Sequence, residues 1–77
     1  MQSLIHAFIR HGVDGYYVAE CVELPVVTQG ATLDEAVCNL HEAVTLHLED
    51  EDISEMGLQK PIHVQIIYEL ELSHAAT

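Results

Sequence analysis

Only one stretch of this chain repeats its apolar residues with a helical period. At about 100° per residue, Leu33, Ala36, Val37, Leu40, Val44 and Leu48 fall on one face. The flanking segments alternate with a period of two or are punctuated by glycine and proline. An amphipathic helix must lay its stripe on something, and the partner on offer here is a β-sheet. One helix covers one face of a four-stranded sheet, so the other face needs its own explanation.

The period-two segments supply the strands. From Ser3 to Arg10, the residues Ile5, Ala7 and Ile9 point one way, and Leu4, His6, Phe8 and Arg10 the other. The run Gly12-Val13-Asp14-Gly15 reads as a turn. Tyr16 to Val22 is aromatic and β-branched, which predicts an antiparallel hairpin with the first strand. Pro25 breaks the second strand or marks an edge. A short third strand starts at Val26-Val27-Thr28 and ends at Gly30. After the helix, Gly57 and Pro61 bracket a turn. Ile62, Val64, Ile66, Tyr68 and Leu70 then alternate against His63, Gln65, Ile67 and Glu69, as a fourth and longest strand.

The helix has a marked start. Thr32 and Glu35 fit a capping box, in which each side chain satisfies a free backbone N–H of the other residue. Asp34 and Glu35 suit the positive end of the helix dipole. The helix is expected to run to about Asp50, where four acids from Glu49 to Asp52 gather at its unfavourable end and fray it. The fold class is therefore α+β: β-β-β-α-β, with one helix on one face of a four-stranded mixed sheet. A right-handed crossover returns the last strand parallel, beside the first. Residues 1–72 form the domain and 73–77 a tail.

Charge limits the partners. Thirteen acids face only Arg10 and Lys60, for a net charge of −11. Duplex binding needs Lys and Arg to displace counterions, so a basic protein partner or plain solubility fits better. Two cysteines, Cys21 and Cys38, make no disulfide framework. The N-terminus has no basic segment followed by a cleavage site. No apolar run approaches the roughly 20 residues of a membrane span. A cytoplasmic protein is expected, with no membrane partner.

No set of residues spells out chemistry. His6, His11, His41, His47, His63 and His74 include no pair at metal-binding spacing. His47 flanks the apolar stripe and reads as a partly buried packing residue. Cys21 shares a strand face with Tyr17 and Ala19, and Cys38 projects away from the stripe; both read as ordinary free thiols. The paired acids Glu20 and Glu23, Asp34 and Glu35, and Glu69 and Glu71 read as solvated faces. Thr28 to Ala36 holds a glycine before a helix, but without a second glycine or a lysine it is no phosphate loop. No catalytic, cofactor-binding or metal-ligating residues are expected.

The run from Tyr16 to Val44 resembles the HicB-like antitoxin family. The matching features are Tyr17, Ala19, Leu24-Pro25, Thr28, Gly30, Thr32-Leu33, Glu35-Ala36 and Ala43, and the stretch from Leu24 to Ala36 is the specific part. The similarity extends over about residues 3 to 72. It implies a truncated ribonuclease-H-like fold and a small basic messenger-RNA-cleaving toxin of the HicA type as partner. This chain departs from the family at Cys21 and Val22, one of which replaces a proline, and at Val26, where the family has glycine. Longer members carry a C-terminal DNA-binding segment. The chain ends at Thr77 without one, so direct nucleic-acid binding is not expected. A ribonuclease-H site places an Asp within the first strand, and Ser3 to His11 has no acid.

Three functions follow, in order. The first is an antitoxin-like protein-binding module without enzymatic activity. The second is an orphan oligomeric structural or regulatory protein, and the third a small metal-dependent nuclease. Self-association as a dimer or tetramer is expected, through the uncovered sheet face or the short third strand, with Leu46 adding an apolar residue on the outer helix face.

The charge and the acid-free first strand predict that the chain alone neither retards duplex DNA nor cleaves RNA. Salt-sensitive retardation at micromolar protein, or cleavage that tracks added Mg²⁺ or Mn²⁺, would contradict this.

Overall fold

The computed structural model describes residues 3–70 and Leu72. The expected tail, with His74, and the acid Glu71 lie outside the described residues. The element order is β1 (Ser3–His11), β2 (Tyr17–Cys21), β3 (Val27–Gly30), α1 (Leu33–Glu49) and β4 (Ile62–Tyr68). The strands form one mixed sheet in the order β3-β2-β1-β4. β1 pairs antiparallel with β2 and parallel with β4, and β2 pairs antiparallel with β3. This is the β-β-β-α-β architecture expected, with the last strand parallel to the first. β1, at nine residues, is the longest strand; β4 has seven and stops at Tyr68, short of Leu70.

Alternation places the core on one side of the sheet. Ile5, Ala7 and Ile9 of β1 and Ala19 and Cys21 of β2 are buried. They meet Leu24 and Val26 from the β2–β3 connection and Leu40 and Val44 from α1. Val26 is buried, and its carbonyl accepts from the Cys21 N–H, so the connection stays tied to β2 and β3 starts one residue later than expected. The β1–β2 turn closes through the Gly12 N–H donating to the Tyr16 carbonyl at 2.7 Å. Gly15 there takes φ +82°, which a side chain would resist.

The start of α1 decides where the helix lies. Thr32 caps it, its hydroxyl accepting from the Glu35 N–H at 3.1 Å. The Glu35 carboxylate reaches back to the N–H of Ala31, one residue beyond the box read from sequence. Gly30 ends β3 directly beneath this first turn. A Cβ built on Gly30 would stand 2.5 Å from the Ala36 nitrogen and 2.8 Å from the Glu35 carbonyl carbon. Gly30 is therefore a seat for the helix backbone rather than a turn glycine.

From that seat, α1 runs closest to β3 and β2, covers the core residues of β1 through Leu40 and Val44 and stands off from β4. Leu40, 1% exposed, is the largest fully buried side chain of the helix, with Ala36 and Val44 also buried and Leu33 and Leu48 partly so. Val37, expected on the buried face, lies at its rim. The helix ends at Glu49 with Asp50 as its C-cap, so the remaining acids lie in the following turn. There the Asp52 carboxylate accepts from the N–H and hydroxyl of Ser54, which holds its pKa below the usual aspartate value. The loop into β4 contributes Met56 and Leu58 to the core margin.

Two substitutions test this packing. Leu40→Ala should lower stability by about 2–5 kcal/mol, as for large-to-small core changes. Gly30→Ala ordinarily stabilises a chain where φ permits it. Here it should destabilise by roughly 1–3 kcal/mol, because the methyl meets backbone that cannot swing aside. Urea unfolding midpoints measure both, and a neutral Gly30→Ala would remove the seat argument.

Candidate protein-interaction surface

No element among the described residues covers the face of the sheet away from α1. Strand register fixes its side chains as a grid. Phe8 of β1 lies between Ile67 of β4 and Glu20 of β2, and Leu4 lies beside His63. Arg10 pairs with Val18, and Val27 of β3 lies beyond Glu20. Leu4, Phe8 and Ile67 are 54%, 41% and 42% exposed. Phe8 and Ile67 lie side by side in register, so they form an adjoining apolar pair rather than two scattered residues.

Acids neutralise the bases on that face. Arg10 reaches Glu20 at 3.3 Å. Glu23 accepts from the backbone N–H of His6 at 2.7 Å, and its second oxygen lies 2.7 Å from His6 Nδ1. The side-chain bond and then the backbone bond hold the Glu23 carboxyl below the ordinary glutamate pKa. Both pairs are exposed, so their worth is in arranging charge rather than in stability. The face presents apolar groups and carboxylates, with its one arginine already paired.

A second uncovered region lies on the core side. Because α1 lies nearest β3 and β2, the core side of β4 is only partly roofed: Ile62 and Val64 are partly buried against the core, and Ile66 and Tyr68 remain 37% and 38% exposed. An open groove of about 290 Å³ runs between Val37, Leu40 and Val44 of α1 and Ile62, Val64 and Ile66 of β4. It continues past Leu48, Ile53 and Pro61 into a wider cleft of about 640 Å³. Beyond the N-terminal end of α1, the rings of His11, Tyr17 and Tyr68 gather, with centroids 4.5 to 6.4 Å apart. Desolvation within this group, and then the neighbouring Tyr17 phenol, raise the Tyr68 pKa.

The two sheet edges differ. The Cys21 N–H bonds to the Val26 carbonyl, so the odd-numbered residues of β2 face β3, and Val27 and Gln29 of β3 direct their backbone groups outward. The outward carbonyl of Gln29 is not left bare: the Asn39 side-chain amide of α1 donates to it at 2.8 Å. The β3 edge expected to be poorly protected is thus partly closed by the helix. Beyond β4 no strand lies among the described residues.

The other residues singled out in the sequence stay dispersed. Cys21 is buried and Cys38 exposed, both free thiols. His41 is exposed and His47 partly buried. Asp34 and Glu35 serve the helix start, and Glu69 follows β4, its N–H bonded to the Ile9 carbonyl. Among the described residues no three His, Cys, Asp or Glu side chains converge as a metal cage. No helix among them is long and apolar enough to cross a membrane. Asn39 and the aromatic trio escaped the sequence reading. Asn39 carried one signal, a polar residue beside the apolar stripe, whereas the trio joins three separate segments.

No family model, no curated protein and no solved structure matches this chain.

The Glu23 carboxyl gives a direct test of the outer-face geometry. Its folded pKa is depressed, so any stability it adds is present above the unfolded glutamate value and is lost as pH falls through the folded one. Carbon-detected NMR titration should place its midpoint below the ordinary value of about 4.3. His6→Ala should move that midpoint upward, and an unchanged midpoint would show that the bonds to His6 are not formed in solution.

Proposed function

We propose that this chain is an antitoxin-like protein-binding module that neutralises a small, basic, messenger-RNA-cleaving toxin of the HicA type. One observation carries the reading. The uncovered sheet face joins an apolar centre, Leu4, Phe8 and Ile67, to acids that have already claimed its Arg10, in a chain of net charge −11. An apolar core within a charged rim is the anatomy of a protein interface. The sign of the charge selects a basic partner and speeds its encounter. A nuclease that binds RNA through a basic surface would lose that surface on docking here, so inhibition needs no catalytic group on this chain. The resemblance of Leu24 to Ala36 to HicB-like antitoxins supports the same choice.

A second reading is an oligomeric structural or regulatory protein with no toxin. The uncovered face and the β4 edge favour it, since both would serve equally between copies of this chain.

The two readings separate in an RNA-cleavage assay with a purified HicA-type toxin encoded beside this protein. The first expects stoichiometric inhibition. It also expects Phe8→Asp to weaken binding by roughly thirtyfold, about 2 kcal/mol, as for a central interface residue. Phe8 lies outside the core, so circular dichroism should be unchanged. Full cleavage in the presence of excess folded protein would leave the oligomer reading.

A further inference from the structure

We propose that the open edge of β4 is a homodimerisation edge, at which a second copy pairs antiparallel about a two-fold axis through Gln65. The inference goes beyond toxin binding and holds whether or not a toxin partner exists.

The hydrogen-bond parity of β4 is fixed at both ends. Ser3 donates its N–H to the Pro61 carbonyl, and the Glu69 N–H donates to the Ile9 carbonyl. In the parallel register with β1, residues 61, 63, 65, 67 and 69 therefore turn their backbone groups toward β1. Ile62, Val64, Ile66 and Tyr68 turn theirs outward, toward no strand among the described residues.

Natural edge strands are guarded by charge, proline, a bulge or a covering element. The β3 edge has Asn39. β4 has none of these guards between Ile62 and Tyr68: the segment IHVQIIY holds no Asp, Glu, Lys, Arg or Pro, and α1 stands off it. In a chain of net charge −11, two copies can meet along this seven-residue strand with no acid opposite an acid.

The strand is also self-complementary in one register. Antiparallel hydrogen-bonded pairs must join outward-facing residues, so even numbers pair with even numbers. A two-fold axis at Gln65 matches Ile62 with Tyr68 and Val64 with Ile66 of the other copy, and it uses the whole strand. It sets Gln65 beside its own copy as a non-hydrogen-bonded pair and Ile67 beside His63. Ile66 and Tyr68, left exposed beside the helix, gain apolar neighbours across the axis. The product is one continuous sheet with both helices on the same side.

Sedimentation equilibrium at micromolar protein and about 0.15 M salt, where repulsion is screened beyond about 8 Å, should give twice the 8.6 kDa chain mass. Ile66→Pro removes an outward N–H and leaves the β1 ladder intact. It should return the mass to the monomer with an unchanged circular dichroism spectrum. Register is read separately, in a Cys38→Ser background. Gln65→Cys should oxidise to a covalent dimer, because a non-hydrogen-bonded pair holds Cα atoms about 4.5 Å apart, within disulfide reach. Ile67→Cys should not, since its copy would lie four residues, about 13 Å, along the strand. A monomeric parent chain, an Ile66→Pro variant that keeps the dimer mass, or crosslinking at residue 67 in place of 65 would each overturn the proposal.

Discussion

The contact between Gly30 and the first turn of α1 sets the rest of this structure. With no side chain at residue 30, the backbone of Glu35 and Ala36 sits directly on the end of β3. The Thr32 cap and the Glu35 carboxylate fasten the turn there, and Asn39, one turn on, ties the helix to the Gln29 carbonyl. A helix anchored at the β3 edge cannot also cover β4 on the opposite edge, because a helix is about 10–12 Å across with its side chains and strands are about 4.8 Å apart. The roof reaches as far as the buried residues of β1 and leaves Ile66 and Tyr68 of β4 exposed.

The openings on the core side and at the β4 edge follow from that placement. The groove beside Val37 and Ile66 is the strip of sheet that the helix does not reach. β4 keeps a bare edge because no later described element crosses it. The far face is open for a simpler reason, since the described residues hold one helix to lay on the sheet. Among the described residues no three His, Cys, Asp or Glu side chains converge; the shifts of Glu23 and Asp52 come from local hydrogen bonds, and that of Tyr68 from desolvation and then from Tyr17.

Much of the fold was legible because each segment carries one clear period. Ile5, Ala7 and Ile9 alternate against Leu4, His6 and Phe8, and the structure buries the first set. Leu33 to Leu48 share a helical stripe, and Leu40 lies at its centre. The cap at Thr32 was readable because capping is a bond between residues three apart. The misreadings fall where distance in sequence stops being informative. Val37, Ile66 and Tyr68 belong to the right faces by period, yet they remain partly exposed because helix and strand do not overlie each other there. Gly30 was readable as a break but not as a helix seat, and the surface pairs His6–Glu23 and Arg10–Glu20 join residues 17 and 10 positions apart.

By itself the sequence determined the elements, their faces, the parallel return of β4 and the acidic character of the surface, because periodicity, capping and charge are local properties. Tertiary structure alone decided which strands the helix covers, which edge is guarded and which carboxylates take up the bases. Those outcomes depend on one close backbone approach at Gly30 and on the register of strands distant in the chain. No local pattern encodes either.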